Sequence, residues 1–354
     1  MFSRCASILR PMGMTFLGAL FITLTAACHP ANSTQNQDLS IQETAANSRA
    51  DSAPQEQQNE TNAPLDNREF RDVLNEFMGL NERLERIASR IKIANADLCE
   101  TTENDIGIST HTLNDYPDEL QTAAKHYLRV DDRLSVRTVR NNSAAHKAGI
   151  RAGDRIIKIN DTSFVDNPLF TETDLAGPLA KAAFHLALDN LALTQFAQIE
   201  YQRGSQTYSA ALTITKKCKI PVTLFFSEEI NGHLIDDEIW MTSALLRNIQ
   251  EDVRVAYIMA HEMAHALRRH ADIHTPDIEL EADRDGLIIL ARAAYNPEDL
   301  AAFWTEQIDL LDGGETQSSS HPDLITRKDN YSSTLSRIKD TNLDNDKLKL
   351  LFFQ

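Results

Sequence analysis

Val255-Ala256-Tyr257-Ile258-Met259-Ala260-His261-Glu262-Met263-Ala264-His265-Ala266-Leu267 is the stretch on which the reading of this chain turns. Val255, Ile258, Met259, Met263 and Leu267 recur at three- and four-residue steps, with Ala at 256, 260, 264 and 266. The pattern predicts one helix from Gln250 to His270 with a continuous apolar face. At about 100° per residue, positions four apart differ by only about 40°, so His261 and His265 project from the same side. Two neutral imidazoles at that spacing can hold one zinc ion, and Glu262 beside the first can reach a water on the metal.

Such a site needs a third protein ligand. A Gly three residues and a His six residues after His265 would supply one, but Arg268 and Ala271 stand there. His270 and His274 are near in sequence, yet a helix running on through His270 would turn it away from the metal. A carboxylate is available downstream in Ile278-Glu279-Leu280-Glu281-Ala282-Asp283. Glu279 and Asp283 share a helix face, so Glu279 is the expected ligand and Asp283 the expected hydrogen-bond partner of a ligand imidazole. Glu281 is expected to point elsewhere. A solvated acidic helix beside two chance histidines is the alternative.

Upstream, the chain changes character. Phe70, Val73, Leu74, Phe77, Leu80, Leu84, Ile87 and Ile91 form one apolar helical stripe within residues 67–98, suited to pack on a later domain. Strands are expected at Asp105 to Ser109, Leu134 to Val139 and Arg155 to Asn160. A short helix from Ser143 should end at Gly149 in a left-handed cap. An apolar helix follows near Leu175 to Phe196, and a hairpin turning at Gly204-Ser205 closes the unit.

The string Ser143 to Asp161, SAAHKAGIRAGDRIIKIND, closely resembles the PDZ domain signature. The resemblance implies a PDZ-like β-sandwich over residues 99–217, which would add an extended peptide as a strand beside Ile106 to Ser109, against the long helix. The family's carboxylate-binding loop is glycine-rich, whereas only Gly107 is offered here. C-terminus binding, internal-segment binding and a purely structural module therefore all stay open.

The sequence has 354 residues, with 35 Lys+Arg against 52 Asp+Glu, a formal net charge of −17. Phosphate backbones need clustered cations, so no nucleic-acid partner is expected. At the N-terminus, Arg4 and Arg10 precede an apolar run from Met12 to Leu24 and then Thr25-Ala26-Ala27-Cys28. Residues 1–28 read as a secretory signal, the apolar run being short of the roughly 20 residues that span a bilayer. Leu24 to Cys28 resembles a bacterial lipobox, with Thr25 where the motif prefers Leu. The resemblance implies lipidation at Cys28 and a membrane-anchored protein of the bacterial periplasm. His29 in place of Asp favours the outer membrane, and plain secretion into the periplasm is the alternative. Residues 29–66 hold no Lys and no aromatic residue and should form a disordered linker. With Cys5 and Cys28 accounted for, Cys99 and Cys218 remain, an even pair expected to form a disulfide in an oxidising compartment.

HEMAH followed by ELEAD is similar to family forty-eight of the metallopeptidases, which includes the HtpX-like and CAAX prenyl proteases. The resemblance covers about residues 218–340. It implies an α+β fold, a mostly helical gluzincin-type metallopeptidase domain (218–354) with a small edge-strand sheet. It also implies one Zn²⁺ per chain on His261, His265 and Glu279, and Glu262 as catalytic base. Asn231-Gly232 and Glu238 to Leu246 resemble the family's edge strand and following turn. Ser320-His321-Pro322 with Arg327 resembles its late motif, in which His321 would be an oxyanion donor, a plug on the resting metal, or a structural residue. Only 14 residues (279 − 265) separate His265 from Glu279, too few for the transmembrane hairpins of membrane-embedded members. The expected activity is zinc-dependent endopeptidase cleavage of unfolded or misassembled envelope proteins. The alternative is a chaperone-like lipoprotein that grips extended segments with little turnover.

Overall fold

The computed structural model describes residues 67–173, 175–193, 195–270, 275–306 and 322–354. The signal segment with Cys28, the linker 29–66, His274 and His321 lie outside the described residues. The chain divides into Met1–Glu69 and Phe70–Gln354, and the elements below belong to the second unit, helix α1 (Asn67–Ala94) beginning just before it.

Two mixed α/β modules are held on α1. Leu84, Ile87, Ala88 and Ile91, spaced for one helix face, enter the C-terminal module's core beside Met259, Met263 and Leu290. Arg83 fastens the same face, pairing with Asp252 at 2.9 Å and donating to the carbonyl oxygens of Leu246 and Gln250. Arg90 donates to the Ala293 carbonyl at 2.7 Å, with its guanidinium 3.8 Å from the Tyr295 ring centre. Leu74 packs into a separate small core with Leu113, Tyr116, Ala124 and Val130, and Glu85 pairs with Arg137 and Thr138 of the N-terminal module. One amphipathic helix thus braces both modules.

The N-terminal module opens with β1 (Thr102–Asp105) and β2 (Ile108–His111), followed by α2 (Asp118–Ala123), β3 (Ser135–Val139), α3 (Ala144–Lys147), β4 (Arg155–Ile159), β5 (Thr162–Ser163), α4 (Ala176–Asp189), β6 (Phe196–Arg203), β7 (Gln206–Thr213) and β8 (Thr215–Cys218). One antiparallel sheet runs β2-β3-β4-β6-β7, with β5 on β4; β1 pairs separately with β8. Ile106, Val136, Ile156, Ile159, Phe184, Ile199 and Leu212 form its core. Two expectations need correcting. The run Asp105 to Ser109 is not one strand: Gly107 takes φ +88°, and a Cβ there would lie 2.1 Å from Ser143 Cβ. The chain breaks at this glycine, β1 leaving for β8 and β2 for β3. The apolar helix stops at Asp189, and Phe196 opens β6 instead of closing the helix. As an edge strand, β2 has one side that pairs with no other strand among the described residues.

Cys99 and Cys218 are joined by a disulfide with Cα atoms 5.6 Å apart. It closes the neck of the N-terminal module next to the β1–β8 pair, where Thr102 lies opposite Cys218. Pinning residues 119 apart restricts the unfolded chain by about 4–5 kcal/mol in the loop-entropy account.

His111 gives this module a pH dependence. The ring is 3 % exposed and sits 2.7 Å from the Tyr116 hydroxyl. Burial, reinforced by nearby Arg137, lowers its pKa to about 4. Above pH 6.5 folded and unfolded states are both neutral here, and the stability is complete. Below it only the unfolded chain takes up the proton, so stability falls between pH 6.5 and about 4. We expect this residue to cost on the order of 2–3 kcal/mol by pH 4.5. Denaturant titrations at pH 7.5 and 4.5 should show a smaller difference for His111→Asn; an equal difference would remove His111 as the cause.

The C-terminal module contains β9 (Val222–Phe225), β10 (Gly232–Ile235), β11 (Glu238–Thr242), α5 (Ser243–Asn248), α6 (Asp252–Arg268), α7 (Pro276–Arg292), α8 (Phe303–Glu306), α9 (Leu324–Asp340) and α10 (Asn345–Phe352). Its sheet has the order β10-β11-β9, antiparallel then parallel. Of the stretches expected to form the edge strand and following turn, Gly232 does open an edge strand, β10, whereas Glu238 to Thr242 is the central strand and Ser243 starts a helix. Strand order depends on long-range pairing, which alternation along the chain does not encode. Among the described residues no helix is long and apolar enough to cross a membrane.

Candidate metal centre

Helix α6 is buried along most of its length, with Val255, Ala256, Met259, Ala260, Met263 and Ala264 at 0 % exposure. Its alanines leave a shallow surface, and α7 comes close across it. A Cβ on Gly286 would stand 3.0 Å from both N and Cα of His261, so α7 meets the α6 backbone at the first histidine. Pro276 starts α7, with the Thr275 hydroxyl accepting from the Ile278 N–H. These caps fix the first turn of α7, which carries Glu279, against the middle of α6.

The outcome is a compact donor set. His261 Nε2 and His265 Nε2 are 3.0 Å apart. Glu279 Oε2 lies 3.4 Å from His261 Nε2 and Oε1 lies 3.8 Å from His265 Nε2. Donors about 2.0–2.1 Å from a tetrahedral zinc would be separated by about 3.3 Å, so the three side chains fit that ion. One donor atom from each of the three lies within 4.8 Å of the others, and the group could hold a metal.

Charge points the same way. Burial works against the charge on Glu279, yet contacts with His261 and His265 hold its carboxyl well below the usual carboxylate range. Burial also opposes charge on His261, but Asp283 and Glu279 overcome it and raise its pKa to about 10. The pocket is arranged to hold a positive charge between the imidazoles and the carboxylate.

Supporting residues surround the set. His261 Nδ1 is 3.1 Å from Asp283 Oδ1. Asp283 in turn accepts from Arg327 at 2.8 and 2.7 Å and from the Tyr257 hydroxyl at 2.9 Å. Burial alone would neutralise Asp283, but Arg327 and His261 keep it ionised, well below the ordinary carboxylate range. Asp283 is thus brought beside His261, while among the described residues no hydrogen bond of good geometry reaches His261 Nδ1; Tyr257, one turn before His261, carries no signal in the sequence pattern. On the other flank, α6 ends at Arg268, two residues earlier than expected, because Arg269 takes a left-handed conformation with φ 57°. The turn brings His270 back, its Nδ1 3.2 Å from His265 Nδ1 and its Nε2 3.3 Å from Glu281 Oε2. The helix does not continue through His270 as expected, yet His270 does stay outside the three-donor group. Glu281 does face away from the three donors, as expected, but it meets His270.

Glu262 follows His261 and faces β10. Burial pushes its carboxyl up to about 6, opposed by His261 and by the nearby Leu234 backbone N–H. Gly232 permits this approach, since a Cβ there would come within 3.0 Å of Ile258 and Met241 side-chain atoms. Beyond this contact the outer side of β10 pairs with no strand among the described residues.

A helix carrying two histidines and a glutamate between them, completed by a glutamate from the next helix, makes a group that could hold a metal ion with a carboxylate beside it. Comparison with known families agrees. The family model described as Peptidase family M48 matches residues 227–276, and that of the PDZ domain matches residues 135–177. No curated protein matches the chain. These two matches support a metallopeptidase of family M48 that carries a PDZ domain.

Proposed function

We propose that this chain is a zinc-dependent endopeptidase that cleaves extended segments of unfolded or misassembled proteins in the bacterial envelope. The observation that carries the reading is the placement of Glu262 between a three-donor metal set and the open edge of β10. His261, His265 and Glu279 would hold one zinc ion per chain. When bound, zinc would supply Lewis acidity and lower the pKa of a neighbouring water.

The residues of the chain do the rest. Backbone groups along β10 would take a substrate strand as an added strand, reading the main chain and tolerating many side chains. Glu262, close to that edge, would accept a proton from the attacking water and return it to the leaving nitrogen. Asp283, held by Arg327 and Tyr257, would keep the proton of His261 on Nδ1 so that Nε2 faces the donor set. The edge strand β2 would give the PDZ domain a second place to grip extended chain. Lipidation at Cys28 with anchoring in the outer membrane, facing the periplasm, would bring both grips to envelope clients, and His321 would act as oxyanion donor or plug.

The test uses purified protein, zinc analysis and an unfolded substrate such as casein. One zinc per chain, cleavage abolished by a chelator and cleavage restored by added zinc are the expected results. Cleavage unaffected by the chelator would overturn the metal assignment. Zinc binding with tight casein binding but no cleavage would instead indicate a holding protein.

A further inference from the structure

We infer that His270, backed by Glu281, is a positioning residue for His265, forming a second support arm opposite the one that Asp283 gives His261. The inference rests on the metal-site reading above and adds the residues that orient its second imidazole. Its starting point is the end of α6. The His270 N–H donates to the His265 carbonyl at 3.0 Å, and the Arg269 N–H donates to the Ala266 carbonyl at 3.2 Å. Paired bonds of this kind around a left-handed residue form a helix cap that brings the residue after the cap against the one five positions earlier. Apolar side chains usually meet there. Here two imidazoles meet instead, 3.2 Å apart at their Nδ1 atoms.

Proton placement then follows from the bonding. For His265 to offer a bare Nε2 to a metal, its single proton must sit on Nδ1. His270 can accept that proton's hydrogen bond at Nδ1 only if its own proton is on Nε2, where Glu281 lies 3.3 Å away. Glu281 is held in place by Arg284 at 3.2 Å, with Arg268 at 3.7 Å. Each step of this chain has a donor facing an acceptor, ending on a carboxylate beside arginines. The His261 arm has the same plan with one fewer ring: imidazole, Asp283, Arg327. Remove His270, and His265 loses the partner that fixes both its ring orientation and the nitrogen carrying its proton.

The experiment is a zinc competition titration against a chromophoric chelator on the full-length protein, with thermal melting of the metal-free form. His270→Ala should weaken zinc binding about 10- to 100-fold, the usual effect of removing such a partner. His270→Asn, whose side-chain oxygen can accept from Nδ1, should recover most of the affinity. Metal-free melting of His270→Ala should match the parent. Unchanged zinc affinity in His270→Ala overturns the inference. So does weakened affinity that comes with an equally lowered metal-free melting point and no recovery in His270→Asn, since that marks a packing role alone. Loss of zinc in Glu279→Ala with none in His270→Ala defeats this inference and leaves the metal site standing. A parent protein that binds no zinc defeats both.

Discussion

Glu262→Gln is expected to stop hydrolysis while leaving the metal in place. Glutamine keeps the shape of glutamate and can still face the Leu234 N–H with its oxygen, so the local packing should survive. What it cannot do is take up a proton. Positioned acid–base groups commonly contribute about 10²–10⁴-fold to rate, and cleavage of the unfolded substrate should fall at least into that range. Zinc content should remain one per chain because Glu262 is not among the three donors. The variant should then hold substrate without releasing products. Covalent capture of partners from cells that produce Glu262→Gln would report the natural clients directly. Turnover within a few-fold of the parent would remove Glu262 from the base role whatever the metal content.

The features that could be read from the chain were those set by local periodicity or by short spacings. The three-and-four pattern from Val255 to Leu267 sufficed to place α6, and the four-residue steps 261/265 and 279/283 sufficed to pick out His261, His265 and Glu279, which the structure brings together. Glycines read correctly where they ended a helix, as at Gly149. The parts that stayed hidden have one cause in common: they are decided by contacts between distant segments or by a backbone conformation with no usual residue to signal it. His270 is the clearest instance. A Gly at 269 would have announced a left-handed cap, but Arg occupies it, so periodicity appeared to carry the helix onward. Such a non-glycine residue is strained locally, and here the strain coincides with the turn that returns His270 to the site. Gly107 lies inside an alternating run, and alternation alone does not mark the break that its left-handed backbone makes. The order β10-β11-β9 depends on a parallel pairing of Ile239 with Val222 and could not be ranked from pattern alone.

Gly286→Ala should weaken the metal site without altering any donor. The added methyl would meet His261 N and Cα at 3.0 Å and the Ala260 carbonyl carbon at 3.3 Å. All three are backbone atoms in the middle of a buried helix, so no side chain can swing aside. The relief must come from moving α7 outward as a body, and Glu279 sits two turns earlier on that same helix. A shift of a few tenths of an ångström would open the 3.4 and 3.8 Å separations between Glu279 and the imidazoles. It would also loosen Asp283, one turn from the glycine, from His261. We expect zinc affinity to drop about 10- to 100-fold, as when a partner of a ligand is lost. Stability of the metal-free protein should fall by about 1–3 kcal/mol, the usual cost of overpacking. Glu279→Ala is the reference: it should lose zinc more completely, yet destabilise the metal-free chain less because it removes bulk and charge without pushing the helices apart. The two variants thus separate contact from position. If Gly286→Ala bound zinc as tightly as the parent, the close approach of α7 to His261 would be mere packing, and the site would not depend on it.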